Sequence, residues 1–175
     1  MNTDIQNYLQ QAKQFRQDND YTASMNIINQ AYDVCAKNDY ASRGNIYAFW
    51  GQIERDQQAL HKALLMYNKA LGEFRKISDD LKVTHTVRHI ADLQQALGQN
   101  HIAEENYQMV LTNYRKNEAT TNLDLANALR GFALLQEDLG NKSEAKDAWT
   151  EARSMYLSAN IQAGVAECDG HLVKL

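Results

Sequence analysis

The sequence predicts an all-α fold of four helix hairpins closed by a C-terminal capping helix, and three observations predict it. The 175 residues contain no proline, whereas an average chain carries about one in twenty. Proline breaks helix interiors by removing a donor and clashing with the preceding turn, so its absence fits long helices joined by short turns. A pattern of small and large residues recurs four times along the chain. Within each recurrence the spacing follows one face of an α-helix.

The repeat starts from the small residues Ala12, Gly51, Ala91 and Ala133, offset by 39, 40 and 42 residues. Twelve positions after each stands another small residue: Ser24, Ala63, Ala103 and Ala145. Four further on come Ile28, Tyr67, Tyr107 and Trp149, then after three more Ala31, Ala70, Val110 and Ala152. A last step of four reaches Cys35, Phe74, Tyr114 and Tyr156. Steps of four, three and four stay on one side of a helix with 3.6 residues per turn. Alternating small and large side chains along that stripe lets two backbones approach while the large groups fill the space beside them.

Taken in order, the helices are expected at 3–18, 21–37, 40–57, 60–77, 80–97, 101–116, 121–138, 142–158 and 161–173. Asn19-Asp20 separates the first two, since Asn and Asp tolerate the left-handed conformation that ends a helix. Asp39 offers an N-cap for the third helix. The turn after it reads Asp56-Gln57-Gln58 and lacks a glycine. Ser78-Asp79-Asp80 supplies capping side chains for the fifth helix, and Gly98-Gln99-Asn100 the turn that follows. Thr120-Thr121-Asn122 and Ser158-Ala159-Asn160 do the same for the seventh and ninth, with Gly140-Asn141 between the seventh and eighth. The ninth helix places Ile161, Val165, Cys168 and Leu172 on one side, suited to covering the end of a stack. Gly164 and Gly170 weaken it by about 1 kcal/mol each relative to alanine. The expected organisation is one domain over 1–175, with units near 1–38, 39–78, 79–118 and 119–158 and a capping helix over 159–175.

At 44% hydrophobic and 23% charged residues, the chain has enough apolar content for a continuous core. A net charge of -4 argues against nonspecific nucleic-acid binding, which needs a dense basic face. No apolar run reaches the length of a membrane span, and the N-terminus lacks the basic-then-apolar pattern of a secretory signal. Cys35 and Cys168 are far apart and fit reduced thiols in a cytoplasmic protein.

These residues resemble the tetratricopeptide repeat. Trp50-Gly51 followed by Ala63, Tyr67, Ala70 and Leu71 is similar to the family pattern in every slot except the turn. Gly98, Ala103, Tyr107 and Val110 match next, then Phe132-Ala133, Gly140, Ala145, Trp149 and Ala152. The first unit departs most, with Gln11 and Ser24 in slots usually apolar or alanine. The period is near 40 rather than 34 and the closing proline of each unit is missing, so the chain is similar to the longer-helix variety of the family. HEAT and armadillo repeats share the period but carry characteristic prolines absent here.

The resemblance implies a right-handed α–α superhelix whose first helices line a concave groove. Carried over position by position, that groove presents Gln6, Leu9, Lys13, Arg16 and Gln17, then Asn45, Ala48, Gln52, Arg55 and Asp56. The third unit adds His85, Arg88, Asp92 and Gln95, and the fourth Asn127, Arg130, Leu134, Glu137 and Asp138. Five cationic groups among them suit an acidic or carboxylate-bearing segment, because the arginine fork donates two parallel hydrogen bonds. The competing account is a solvated face whose arginines pair with Asp92, Glu137 and Asp138. The lysine-and-asparagine clamp of chaperone-binding members is not reproduced.

The expected function is therefore a protein- or peptide-binding scaffold, with a peptide-sensing regulatory domain as the alternative and homo-oligomerisation open. No cofactor, metal, nucleic acid or membrane is expected as a partner. His85, His89 and Asp92 share helical spacing that a metal site could use, but without an HExxH pattern packing or groove histidines are the better account. Adjacent carboxylates such as Glu104-Glu105 point about 100° apart on a helix and cannot flank one bond. No phosphate loop, nucleophile elbow or CxxC pair occurs, so no enzyme is expected.

Overall fold

The computed structural model describes residues 3–175, so the first two positions of the expected domain lie outside the described residues. Among these residues the chain is all-α, with nine helices: α1 (Thr3–Gln17), α2 (Tyr21–Val34), α3 (Tyr40–Asp56), α4 (Leu60–Lys76), α5 (Asp80–Ala96), α6 (Asn100–Lys116), α7 (Asn122–Asp138), α8 (Lys142–Ser158) and α9 (Gln162–Leu172). All nine lie where the hydrophobic period predicts them. The chain forms two compact units, Met1–Thr86 and Val87–Leu175, dividing within α5.

Every residue in the five repeated columns is buried. In the first unit α1 packs on α2 and α3, and α3 on α4. Ile5, Ala12, Ile28, Ala31, Cys35, Ile46 and Ile53 form one core cluster, with Phe49 and Trp50 packed against it. Tyr47, Met66, Ala70 and Phe74 form a second, joined by Val83 from the start of α5. In the second unit Ala91, Ala103, Tyr107 and Leu135 bring α5, α6 and α7 together, and α8 packs on α7 and α9.

Four helical glycines are small because aromatic rings lie on them: Gly44 under Phe74, Gly51 under Tyr67, Gly131 under Tyr107 and Gly164 under Tyr156. A Cβ added at Gly51 would stand 2.8 Å from the Tyr67 ring, and one at Gly164 would stand 2.6 Å from the ring of Tyr156. Gly164 is thus required by packing in α9, which its helix propensity alone does not reveal. The first hairpin, whose Ser24 departs from the usual alanine, solves the same contact differently: the buried Ser24 hydroxyl donates to the Ala12 carbonyl at 2.8 Å, so the polar atom is satisfied rather than orphaned.

Six of the eight turns follow one recipe, the exceptions being those after α2 and α6, where Cys35 and Asn117 are extended. Asn19, Gln58, Ser78 and Asn160 take positive φ near 60°, as do Gly98 and Gly140 at 73° and 78°. The connection lacking glycine therefore adopts the same left-handed turn, with Gln58 in the strained position. Asp39 accepts from the Ser42 amide at 3.0 Å, Asp79 accepts from the Lys82 amide, and Thr121 forms a reciprocal capping box with Asp124.

Two details differ from the sequence expectation. Helix α2 ends at Val34 rather than near 37, and Cys35 follows in extended conformation; its side chain still reaches the core at 7% exposure. The capping side chains expected before α9 are not used. Ile161 occupies the N-cap without a side-chain bond, because Asn160 is consumed by the left-handed turn that closes α8.

Candidate functional site

The first helix of each hairpin carries the polar row singled out in the sequence. Lys13, Arg16, Asn45, Gln52, Arg55 and His85 lie in the first unit, and Arg88, Asp92, Asn127 and Arg130 in the second. In the first unit Lys13 and His85 are exposed, and Arg16, Asn45, Gln52 and Arg55 are half-buried. Leu9 and Ala48, also placed on this face by the resemblance, pack against core clusters.

Much of this row connects one first helix to the next. Arg16 Nη1 sits 2.5 Å from Asp56 Oδ2, tying α1 to α3, while its guanidinium lies over the Phe49 ring. Arg55 reaches the other oxygen of Asp56 at 3.5 Å. Lys82 donates to Asn45 at 3.0 Å, tying α3 to α5. In the second unit Gln95 donates to Asp138 at 2.8 Å, tying α5 to α7. Arg130 donates through Nε and Nη2 to both oxygens of Glu167, at 2.8 and 2.6 Å, tying α7 to α9. Residue separations of 40, 37, 43 and 37 match the repeat period, so these bonds are rungs between successive repeats.

Asp92 is a junction rather than an open acceptor. It receives the Tyr107 hydroxyl at 2.7 Å and Arg88 Nη1 at 2.8 Å, and His89 lies 3.7 Å away. Burial pushes its carboxyl upward, but hydrogen bonding from His89 and the neighbouring positive charges outweigh that and hold it below the ordinary carboxylate value. Burial and the Asp92 charge push the Tyr107 phenol far above its usual range. Asn127 accepts the Tyr156 hydroxyl at 2.8 Å. Arg130 has its pKa raised by its bond to Glu167, and the same bond lowers that of Glu167.

All four arginines of the row therefore carry an intramolecular carboxylate, Arg16 and Arg55 sharing Asp56, and the positive bias seen in the sequence is largely met from within. Of the three acids expected to pair with them, Asp92 does so. Asp138 instead accepts from Gln95, and Glu137 accepts from Trp149 Nε1 and lies 2.8 Å from His171 Nδ1. The His171 ring stacks on the Trp149 indole, centroids 4.2 Å apart.

Sequence reasoning missed Glu167 and Asp56 as the arginine partners. The available signal was the repeat period itself, which places an acid 37 residues after Arg130 and another 40 after Arg16. His85 and His89 diverge: His85 is exposed and His89 buried. Among the described residues no three of His, Cys, Asp and Glu are grouped to hold a metal ion, and no helix is long and apolar enough to cross a membrane. Burial raises the Cys35 thiol and pushes that of Cys168 up to about 11, which disfavours the reactive thiolate.

No protein-family model matches the sequence, and no curated protein matches it significantly. Solved structures do match in fold. BtubC (BKLC) from P. vanneervenii superimposes with a TM-score of 0.72 at 14% identity, covering 93% of this chain and 76% of that one. Aspartyl phosphate phosphatase F from Bacillus subtilis gives a TM-score of 0.84 at 12% identity over 97% of this chain, which spans only 45% of that protein. A Podosopora anserina protein described as a kinesin light chain with nearly identical TPR-like repeats gives 0.62 at 12% identity, covering 99% and 96%. With the buried columns and the period of its rungs, the chain has the tetratricopeptide-like helical-repeat fold.

Proposed function

We propose that this chain is a protein- or peptide-binding scaffold that presents the polar faces of its first helices to a partner. The observation that carries this is the division of labour along each repeat. The apolar columns are spent on internal packing, while polar side chains recur at matching register on α1, α3, α5 and α7. The fold shared with repeat proteins supports the same reading, and the buried, raised thiols and dispersed histidines offer no convergent catalytic set.

For an acidic or carboxylate-bearing segment, recognition proceeds by exchange. The ligand carboxylate replaces Asp56 on Arg16 or Glu167 on Arg130, and Lys13 and Arg55 contribute charge beside the first of these. Exchange conserves the count of charged hydrogen bonds, so affinity rests on the flanking contacts. The test is fluorescence anisotropy with a labelled glutamate-rich peptide bearing a free C-terminal carboxylate. Lys13→Glu with Arg55→Glu should weaken binding at least about fivefold at unchanged helix content, a shift of about 1 kcal/mol. Unchanged affinity, or no binding by the native chain, overturns the acidic-segment reading.

A further inference from the structure

A second surface in the Val87–Leu175 unit lies away from the polar row. It is a groove of about 320 Å³ between α6 and α8, floored by α7. Two equally spaced stripes line it: Gln108, Leu111, Thr112 and Arg115 on α6, and Glu144, Asp147, Ala148 and Glu151 on α8. Each follows steps of three, one and three, so each is one face of its helix. Leu129 and Phe132 of α7 form the floor. At the C-terminal end of both stripes Arg115 and Glu151 pair at 2.6 Å.

The charge of this groove is one-sided. Its single cation is held by Glu151, while Glu144 and Asp147 have neither a hydrogen-bonding nor an ionic partner among the described residues. The surrounding unit has the same sign: the chain's net charge of -4 falls within residues 87–175, where acids outnumber bases by four. The base of the groove, by contrast, is apolar: Leu129 of the floor and Leu111 and Ala148 of the walls are buried, and half-buried Phe132 carries the accessible apolar surface. A concave apolar floor beside unneutralised carboxylates fits an occupant with apolar and cationic faces.

We propose that this groove docks a basic amphipathic segment of a partner protein, seating apolar side chains on Phe132 above the buried Leu129 and lysine or arginine side chains against Glu144 and Asp147. A helix presents those two kinds of group at the three- and four-residue intervals that both walls use. This face is separate from the first-helix row and prefers ligands of opposite charge, so the two sites fail or succeed independently.

The test is fluorescence anisotropy with a labelled leucine–lysine peptide designed as an amphipathic helix, against a leucine–glutamate peptide of the same pattern. The native chain should bind the first and not the second, with affinity falling as salt rises. Glu144→Lys with Asp147→Lys should weaken binding at least about tenfold, equal to about 1.4 kcal/mol. Thr112→Trp, an exposed position that fills the groove without altering charge, should do the same at unchanged thermal stability. Reversal of Glu105 and Glu118, exposed acids outside the groove, should leave affinity within about twofold, less than about 0.5 kcal/mol. Equal losses from the two reversals, or full binding by Thr112→Trp, would overturn the proposal by reducing it to bulk charge. Light scattering that shows the chain occupying its own groove as a dimer, lost in Thr112→Trp, would overturn the choice of occupant.

Discussion

Arg130 on α7 and Glu167 on α9 form a two-point ion pair across 37 residues, and this pair ties the last helix to the rest of its unit. Neither group is deeply buried, with side-chain exposures of 41% and 34%, so solvent screens much of the attraction. Glu167→Gln is expected to cost about 1 kcal/mol, toward the upper end for a partly exposed pair because the geometry is bidentate. The loss should concentrate in α9, whose amides should exchange faster than those of α7 and α8. Its pH signature is fixed by sign. Glu167 has a folded pKa below its ordinary 4.5, so its contribution is present above that value and disappears as pH falls through the folded pKa. Acid titration of the native chain and the variant should therefore separate above pH 4.5 and converge only once the pH has fallen below the folded pKa.

Glycine substitutions separate packing from propensity. Gly44 lies under Phe74, where a Cβ would come within 2.5 Å of the ring, whereas Gly72, in exposed mid-helix α4, would meet nothing within 4 Å. Gly44→Ala should destabilise by about 1–3 kcal/mol through overpacking, and Gly72→Ala should stabilise by up to about 1 kcal/mol. In α9 the same contrast holds between Gly164, against Tyr156, and Gly170, in open space. Urea midpoints for the four alanine variants should move down, up, down and up in that order.

The fold was legible because its determinants are local and repeated: a 3.6-residue period, a twelve-residue step between small residues, and turn residues at each hairpin. Glu167 illustrates what was not legible. Nothing local marks it as an arginine partner; the pairing emerges only when α9 docks beside α7 at the repeat distance. Asp92 illustrates the same point: its register places it on the first-helix face, but nothing local announces that Tyr107 and Arg88 occupy its two oxygens. The α6–α8 groove combines residues from three helices, and its floor residues Leu129 and Phe132 read in sequence as ordinary core.

Gln58 marks the hairpin where the sequence departs from its own pattern. At φ 61° it occupies the conformation that Gly98 and Gly140 supply in later repeats, and a side chain there costs roughly 1–2 kcal/mol. Gln58→Gly should raise the unfolding midpoint by an amount equivalent to about 0.5–1 kcal/mol, part of the relief being offset by greater freedom in the unfolded chain. Asn19→Gly should gain less, because asparagine already tolerates the left-handed region. A gain at position 19 equal to that at 58 would refute the strain argument.

The tyrosines give the last prediction, and they divide by environment. Burial pushes Tyr47, Tyr114 and Tyr156 up to about 12 and Tyr107 further. Tyr32 moves the other way: hydrogen bonds from the Tyr47 hydroxyl and the Arg43 guanidinium favour its phenolate. A phenol with a raised folded pKa stabilises the fold fully below its ordinary value of 10.0. That contribution is lost as pH climbs from there toward the folded value. Alkaline titration followed by tyrosinate absorbance should thus begin with a small early phase that Tyr32→Phe abolishes. The phases of Tyr47, Tyr107, Tyr114 and Tyr156 should appear only with loss of the far-UV helical signal, because these rings are themselves the large members of the repeated columns or, for Tyr47, part of a core cluster. Ionisation of all nine tyrosines near pH 10 with the helices intact would contradict the burial of those columns.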